Sequence, residues 1–309
     1  MSATSTHTGT NWGRFGPDDE RGMLNLLTPE VVLQAARVPT TGKVYSLALP
    51  IQRGGIPYFD YRGAPTRLPL AHQSDGGQFV AYGAPDHLGA NEDVLIMASH
   101  NETHMDALSH VFSERKMYNG IPAEAVGAQH GATKLGIEKV GWIVGRAIML
   151  DMVRFYGADQ RLEGATVIGA ADLEECARRQ GVEVRDRDIL LVRTGWIDWF
   201  LAQDVHGPAD FAMADYAQPG LGTDAARFMD DHDITAVGAD NSAVEALGTE
   251  AHGFLAGHVE LLVKRGIHLV EHLMLKEMAD DECYECLFVV APLPVVGAAG
   301  SPVNPIAIG

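Results

Sequence analysis

The sequence predicts a mixed α/β fold, with strands and a few helices arranged around a mixed sheet. Three observations carry this reading. Short apolar runs such as 189–192 (ILLV) and 234–237 (ITAV) have the length of buried strands. Helical segments at 174–180 and 253–265 each stop at a glycine, Gly181 and Gly266. Stretches rich in Gly and Pro separate these elements.

In chain order, residues 1–40 read as an irregular N-terminal arm and 41–309 as a single domain. NWGRFGPDDERG (11–22) is polar and glycine-rich. Thr28-Pro29-Glu30 has the form of a helix start, with Thr as cap and Pro in the first turn. KVYSLALPI (43–51) reads as a strand, and 54–89 as loops. DVLIMAS (93–99) reads as a buried strand, and 267–275 and 287–296 as the last strands.

From Cys286 to Gly309 there is no charge, which is long enough to cross a bilayer. Pro292, Pro294, Pro302 and Pro305 exclude a lipid-exposed helix there, because each interior proline removes a hydrogen bond and clashes with the previous turn. The stretch is expected to be a buried strand, a turn and a buried tail. The first twenty residues hold no apolar run of the secretory kind, so a cytoplasmic protein is expected.

The chain has 309 residues, 46% of them apolar and 21% charged, an ordinary globular composition. Lys and Arg number 23 against 41 Asp and Glu, a net charge of −18. That field argues against a nucleic acid or an anionic membrane as partner. Three cysteines exclude a disulfide scaffold.

The strongest chemical signal is His100-Asn-Glu-Thr-His104-Met-Asp106-Ala-Leu-Ser-His110. A divalent metal needs several imidazoles and carboxylates converging on one point. On a helix, His100 and His104 would share a face but Asp106 would point away. On a straight strand, residues 100 and 110 would lie ~33 Å apart at ~3.3 Å per residue. The segment is therefore expected to be a strand end, supplied by 93–99, and a folded-back turn. The plain alternative is a solvated, histidine-rich turn.

His258 and Glu271 form the second signal. His258, Leu261 and Leu262 share one helical stripe. Glu271 is the single acid on an apolar strand parity with Ile267, Leu269, Leu273 and Leu275. A buried carboxylate is costly unless paired, protonated or metal-bound. A core histidine and a buried ion pair are the plain readings; a site shared with His110 is the functional one. Cys283 and Cys286 read as ordinary cysteines, since no second CxxC accompanies them. The Gly297–Pro302 stretch reads as a turn, and Asp240-Asn241 as a pocket edge or an Asx turn.

His100, Thr103, His104, Asp106 and His110 occupy the defining positions of HxGTHxDxPxH. With KMYNG (116–120), GATKLGIE (131–138), VRTGW (192–196), AVGADNSAVE (236–245) and HVELLVKRGIHLVEHL (258–273), the chain resembles the cyclase family of metal-dependent hydrolases. That family includes kynurenine formamidase and isatin hydrolase. The resemblance runs over roughly residues 11–309, with two departures: Glu102 stands at the motif glycine and Leu108 at its proline.

The resemblance implies a swivelling β/β/α fold, a small-molecule substrate and a homo-oligomer. It implies that His100, His104 and Asp106 hold a first metal. His110, His258 and Glu271 would complete a second site, or serve as acid and base around a single ion. Zn and Mn are both implied, one or two per chain. The leading expectation is cleavage of a C–N bond in a small aryl formamide or cyclic amide. His110 would then be the general base if it is not a ligand, and Glu271 or His258 the proton donor to the leaving amine. A lactone or ester hydrolase, and a binding protein with a structural metal, are the alternatives. The specificity pocket is expected from 51–92 and the N-terminal arm.

Overall fold

Buried apolar runs align as the parallel centre of a nine-stranded sheet in the computed structural model, which describes residues 9–57, 59–203, 217–248 and 253–309. In chain order the strands of three or more residues are β1 (Val44–Ser46), β2 (Thr66–Ala71), β3 (Glu92–Ile96), β4 (His104–Asp106), β5 (Ile143–Asp151) and β6 (Ile189–Arg193). They continue with β7 (Ala236–Ala239), β8 (His268–Glu271), β9 (Glu285–Val290), β10 (Gly300–Pro302) and β11 (Ile306–Ile308). The sheet order is β1-β11-β9-β5-β6-β7-β8-β4-β10. Strands β5 to β8 run parallel, and both flanks are antiparallel. Such a centre needs cover on both faces, which is why its strands read as continuous apolar runs.

Two cores provide the cover. On one face Ile148, Leu150, Leu190, Val192, Val237 and Leu269 pack against α2 (Ala170–Gln180) and the helix carrying Leu261 and Leu262. On the other, Ala147, Met149, Ile189, Leu191, Ala236 and Val270 pack with Leu24, Leu27 and Val31. Leu24 and Leu27 belong to the N-terminal arm, which is thus built into the core. Further along it, Trp12 Nε1 donates to Val263 O at 2.7 Å, and Asn11 N to Lys264 O at 2.8 Å. The arm thereby braces the helix that bears His258. Residues 1–8 of the arm lie outside the described residues.

Several expectations match closely. Helix α1 (Pro29–Ala35) starts where Thr28 caps Val31 N. Helix α2 stops at Gly181, which is left-handed at φ 71°. The 253–265 helix begins at Ala256 and continues as a π-helix over Val259–Arg265, ending at left-handed Gly266. The uncharged tail contributes β9, β10 and β11. Among the described residues no helix is long and apolar enough to cross a membrane.

Several elements differ: β8 stops at Glu271, short of the expected Leu275; β2 lies within 54–89, expected as loops; and Gly300–Pro302, expected as part of a turn, is strand β10. Only Val44–Ser46 of 43–51 pairs as a strand, although Leu47 N still bonds Pro305 O at 3.0 Å. Strand β9 ends at Val290, before the Pro-rich turn. Most importantly, 93–99 is not a buried strand of the main sheet. Its first part is β3, paired antiparallel with β2 in a separate hairpin where Leu68 and Ile96 are exposed. A short apolar run does not distinguish a buried strand from an uncovered hairpin face.

Candidate metal centre

Strand β4 is the platform. His104 and Asp106, two residues apart, project from the same face. Across the ladder Glu271 of β8 pairs directly with His104, so its side chain joins that face at the carboxyl end of a parallel strand. On the other side Gly300 of β10 pairs with Asp106. His100 arrives from the turn before β4, and His110 from a turn after it, where His110 N bonds Ala107 O at 3.0 Å. His258 descends from its helix on the same side of the sheet. The strand therefore begins at His104 and not before His100, a correction to the expectation that 93–99 supplies it.

All six sequence-derived residues lie together, but grouped differently from what the resemblance implies: His110 joins His100 and Asp106, Asp106 is shared, and His104 stands beside the two clusters. His100, Asp106 and His110 form one donor cluster, and Asp106, His258 and Glu271 a second; Asp106 is common to both. His104 Nε2 stands 3.7 Å from Asp106 Oδ1 and 3.2 Å from Glu271 Oε2. His258 Nε2 lies 3.5 Å from Asp106 Oδ2 and 3.4 Å from Glu271 Oε1. His100 Nε2 is 3.4 Å from Asp106 Oδ1. Ligands bonded at ~2.0–2.1 Å around a tetrahedral ion are separated by about 3.3 Å, so these spacings suit a divalent metal. Both Asp106 oxygens and His100 Nε2 are buried with no hydrogen-bond partner, which a bound cation would supply. The residues present fit such an ion.

The electrostatics separate the histidines: His100 and His110 are held neutral, whereas His104 and His258 are held toward a protonated form whose proton a bound ion would displace. Burial, helped by His110, pushes the His100 pKa down to about 3, and burial also lowers that of His110. Both are neutral imidazoles, the form that binds metal. Burial works against the charged form of His104, but Glu271 and Asp106 outweigh it and raise the pKa. For His258 the same contest is won by Asp106, Glu245 and Glu271. Burial would raise Asp106, yet His110, His258, His100 and His104 hold it below the usual carboxylate range. Glu271 falls to about 2 because His104 and His258 overcome burial and Asp106. His100 and His110 are half-buried and the other four buried, so the centre opens on their side. There the 51–92 region docks: Arg62 donates to His100 O, and Asn101 Nδ2 donates to Gly63 O at 2.7 Å.

Behind the donors stand Glu245, which sequence reasoning missed, and the motif positions Thr103 and Glu102, whose roles it left open. Glu245 accepts from His258 Nδ1, from Gly257 N at 2.8 Å and from His258 N at 3.1 Å. It fixes the ring so that Nε2 faces the cluster, the carboxylate–histidine arrangement common at metal sites. Thr103 Oγ1 donates to His272 O at 2.7 Å and accepts from Leu49 N at 2.8 Å, which ties three segments together under the site. Glu102 occupies a left-handed conformation, φ 48°, which accounts for the glycine in the motif. Its carboxylate is buried without a partner, and burial pushes its pKa up to about 7.

Other singled-out residues have plain roles. Asp240 accepts from Thr194 N, Thr194 Oγ1 and Gly195 N, closing the turn after β6. Cys283 and Cys286 are free thiols, and burial raises the pKa of both.

Comparisons with known proteins show the family and the fold. Kynurenine formamidase of Bacillus thuringiensis (strain Al Hakam) is 28% identical over 225 residues, 73% of this chain and 83% of that protein. A solved structure described as a novel cyclase is 34% identical, covers 97% of this chain and 99% of its own, and superposes with a TM-score of 0.86. Isatin hydrolase A from Labrenzia aggregata, bound to benzyl benzoate, shares the fold at 18% identity, with 92% and 98% coverage and a TM-score of 0.57. The family model described as Putative cyclase matches residues 45–246, and the chain belongs to that family.

Proposed function

We propose that this protein is a metal-dependent hydrolase that cleaves a C–N bond in a small aryl formamide or cyclic amide, with Zn²⁺ or Mn²⁺ as its metal. The observation that carries this is the pair of buried donor clusters sharing Asp106, whose two carboxylate oxygens have no other partner. Two such clusters favour two ions over one. The similarity to kynurenine formamidase and the fold shared with isatin hydrolase support the bond type.

A divalent ion supplies a water activated at neutral pH and polarises a carbonyl oxygen. The chain's own groups do the rest. His110 lies at the open side, and burial keeps its imidazole neutral, able to accept a proton or to bind metal. Asp106, Glu271 and Glu245 surround His258 closely enough that His258 and Glu271 serve as ligands in this reading, with proton delivery to the leaving amine left to the open side. Arg62 and Gly63 place the 51–92 region over the entrance, where it shapes substrate choice.

A homo-oligomer in the cytoplasm completes the proposal; the uncovered hairpin face with Leu68 and Ile96 supports a second copy as its cover. Light scattering tests the first part and cell fractionation the second.

Purified protein stripped by chelation and reloaded with Zn²⁺ or Mn²⁺ should hydrolyse members of a panel of aryl formamides and cyclic amides only when loaded. Full turnover by the metal-free protein, or turnover of lactones and esters with every amide inert, would overturn the proposal.

A further inference from the structure

Beside the donor clusters lies a buried polar chain that contributes no ligand: Gln218, Ser242 and His272. His272 Nε2 is 2.8 Å from Ser242 Oγ. Gln218 Nε2 donates to Ser242 Oγ at 3.0 Å, and Gln218 Oε1 accepts from Ser242 N at 2.8 Å. At its other end, His272 Nδ1 is 2.9 Å from the carbonyl of Glu102. The same carbonyl lies 2.8 Å from His104 Nδ1. All five residues are buried.

The protons in this chain have one consistent arrangement. A carbonyl only accepts, so His104 and His272 both carry a proton on Nδ1. His272 Nε2 is then a bare acceptor, and the Ser242 hydroxyl must donate to it. The Ser242 oxygen accepts in turn from the Gln218 amide, whose orientation is set by the Ser242 backbone N–H. The left-handed turn at Glu102 aims one carbonyl at two imidazoles. For His104 the result is an Nε2 that faces Asp106 and Glu271, carrying a proton that a bound ion would replace.

We propose that His272 is a positioning residue of the metal centre, which fixes the tilt of His104 by anchoring the Glu102 carbonyl that both rings share, with Ser242 and Gln218 holding His272 in place. This rests on the metal-centre reading above. It gives His272 a role distinct from the neighbouring Glu271: it acts on the metal through His104 alone. Partners behind a ligating histidine commonly change metal affinity by about 10- to 100-fold when removed.

The test is Zn²⁺ and Mn²⁺ affinity, measured by competition with a chromophoric chelator on the full-length protein. Three substitutions divide the functions of the ring. His272→Asn places an amide N–H near Nδ1 and keeps the bond to Glu102. His272→Gln places its amide near Nε2 and loses that bond. His272→Phe loses both. The expected result is affinity weakened about 10- to 100-fold in His272→Gln and His272→Phe, and largely retained in His272→Asn. Long-range ¹⁵N–¹H spectra of the Zn²⁺-loaded wild type should show His104 and His272 protonated at Nδ1.

Wild-type affinity in His272→Phe, or a loss in His272→Asn as large as in His272→Phe, would overturn the proposal. If His272→Phe does not fold, Ser242→Ala decides: it should weaken metal binding several-fold, and unchanged affinity with an unchanged His272 spectrum counts against the relay. Failure of the wild type to bind either metal would instead remove the metal-centre reading itself, and the relay with it.

Discussion

Gly300 faces the His100 imidazole so closely that a Cβ built on it would collide with Nε2. Gly300 also pairs with Asp106 across the ladder, so the bare backbone of β10 is what admits His100 beside that carboxylate. Gly300→Ala should push the imidazole away and weaken metal binding at the His100–Asp106–His110 cluster. Overpacking of this kind costs about 1–3 kcal/mol of stability. Metal analysis after dialysis checks it; an unchanged metal content with an unchanged melting temperature would show that His100 has room elsewhere.

Asp106 belongs to both donor clusters, whereas His110 belongs to one. Asp106→Asn should therefore empty both positions, and His110→Ala one of them. Metal-to-protein ratios measured by elemental analysis distinguish the two variants. A full complement of metal in Asp106→Asn would mean that the clusters are not joined through this carboxylate.

Glu245 receives three N–H donors, two from backbone and one from His258 Nδ1. Glu245→Gln turns part of that acceptor into a donor and leaves an N–H unsatisfied, a loss of about 1–3 kcal/mol. With the His258 ring no longer fixed, metal affinity should fall by about 10- to 100-fold. Urea denaturation with and without Zn²⁺ reads both effects. Equal affinity in the variant would show that the helix alone fixes the ring.

Glu102 combines a left-handed backbone with a buried carboxylate that has no hydrogen-bond partner. Left-handed geometry costs a residue with a Cβ roughly 1–2 kcal/mol, and the unpaired group adds to that. Glu102→Gly should raise the stability of the metal-free protein by about 1 kcal/mol or more, after the entropy of a more flexible unfolded chain is subtracted. It keeps the carbonyl that His104 and His272 share. A lower denaturation midpoint in the variant would reveal a stabilising role for the carboxylate.

These residues also show what the sequence made legible. The cluster from His100 to His110 was legible from its residue types and spacing, and Glu271 as a lone acid on an apolar parity, whereas the set of six with His258 came from the family resemblance. Helix α2 and its stop at Gly181 were readable because capping is local. The strand that carries His104 and Asp106 was misplaced, because its pairing with β8 and β10 joins segments far apart in the chain. Leu95 and Ile96 looked buried because apolar runs announce an apolar face but not what covers it. Glu245 was invisible for a different reason: it works through one ring nitrogen of His258, which no periodicity reports.

His268 gives the clearest dependence on pH. It sits on β8 with its side chain buried and Nδ1 without a partner. Burial, with a smaller contribution from Arg21, pushes its pKa down to about 3, against the pull of Asp106 and Asp19. In the unfolded chain the imidazole titrates near its ordinary value of about 6.5. The folded state thus excludes a proton that the unfolded state takes up. Its contribution to stability is present above pH ~6.5 and is lost as pH falls toward 3, at up to about 1.4 kcal/mol per pH unit. His268→Phe keeps a ring in the core and removes the titration. Urea midpoints of the chelated protein should therefore decline less steeply in the variant between pH ~6.5 and 4, with m-values unchanged. Parallel declines in the two proteins would place the acid sensitivity in other buried groups and show that His268 can take up its proton without unfolding.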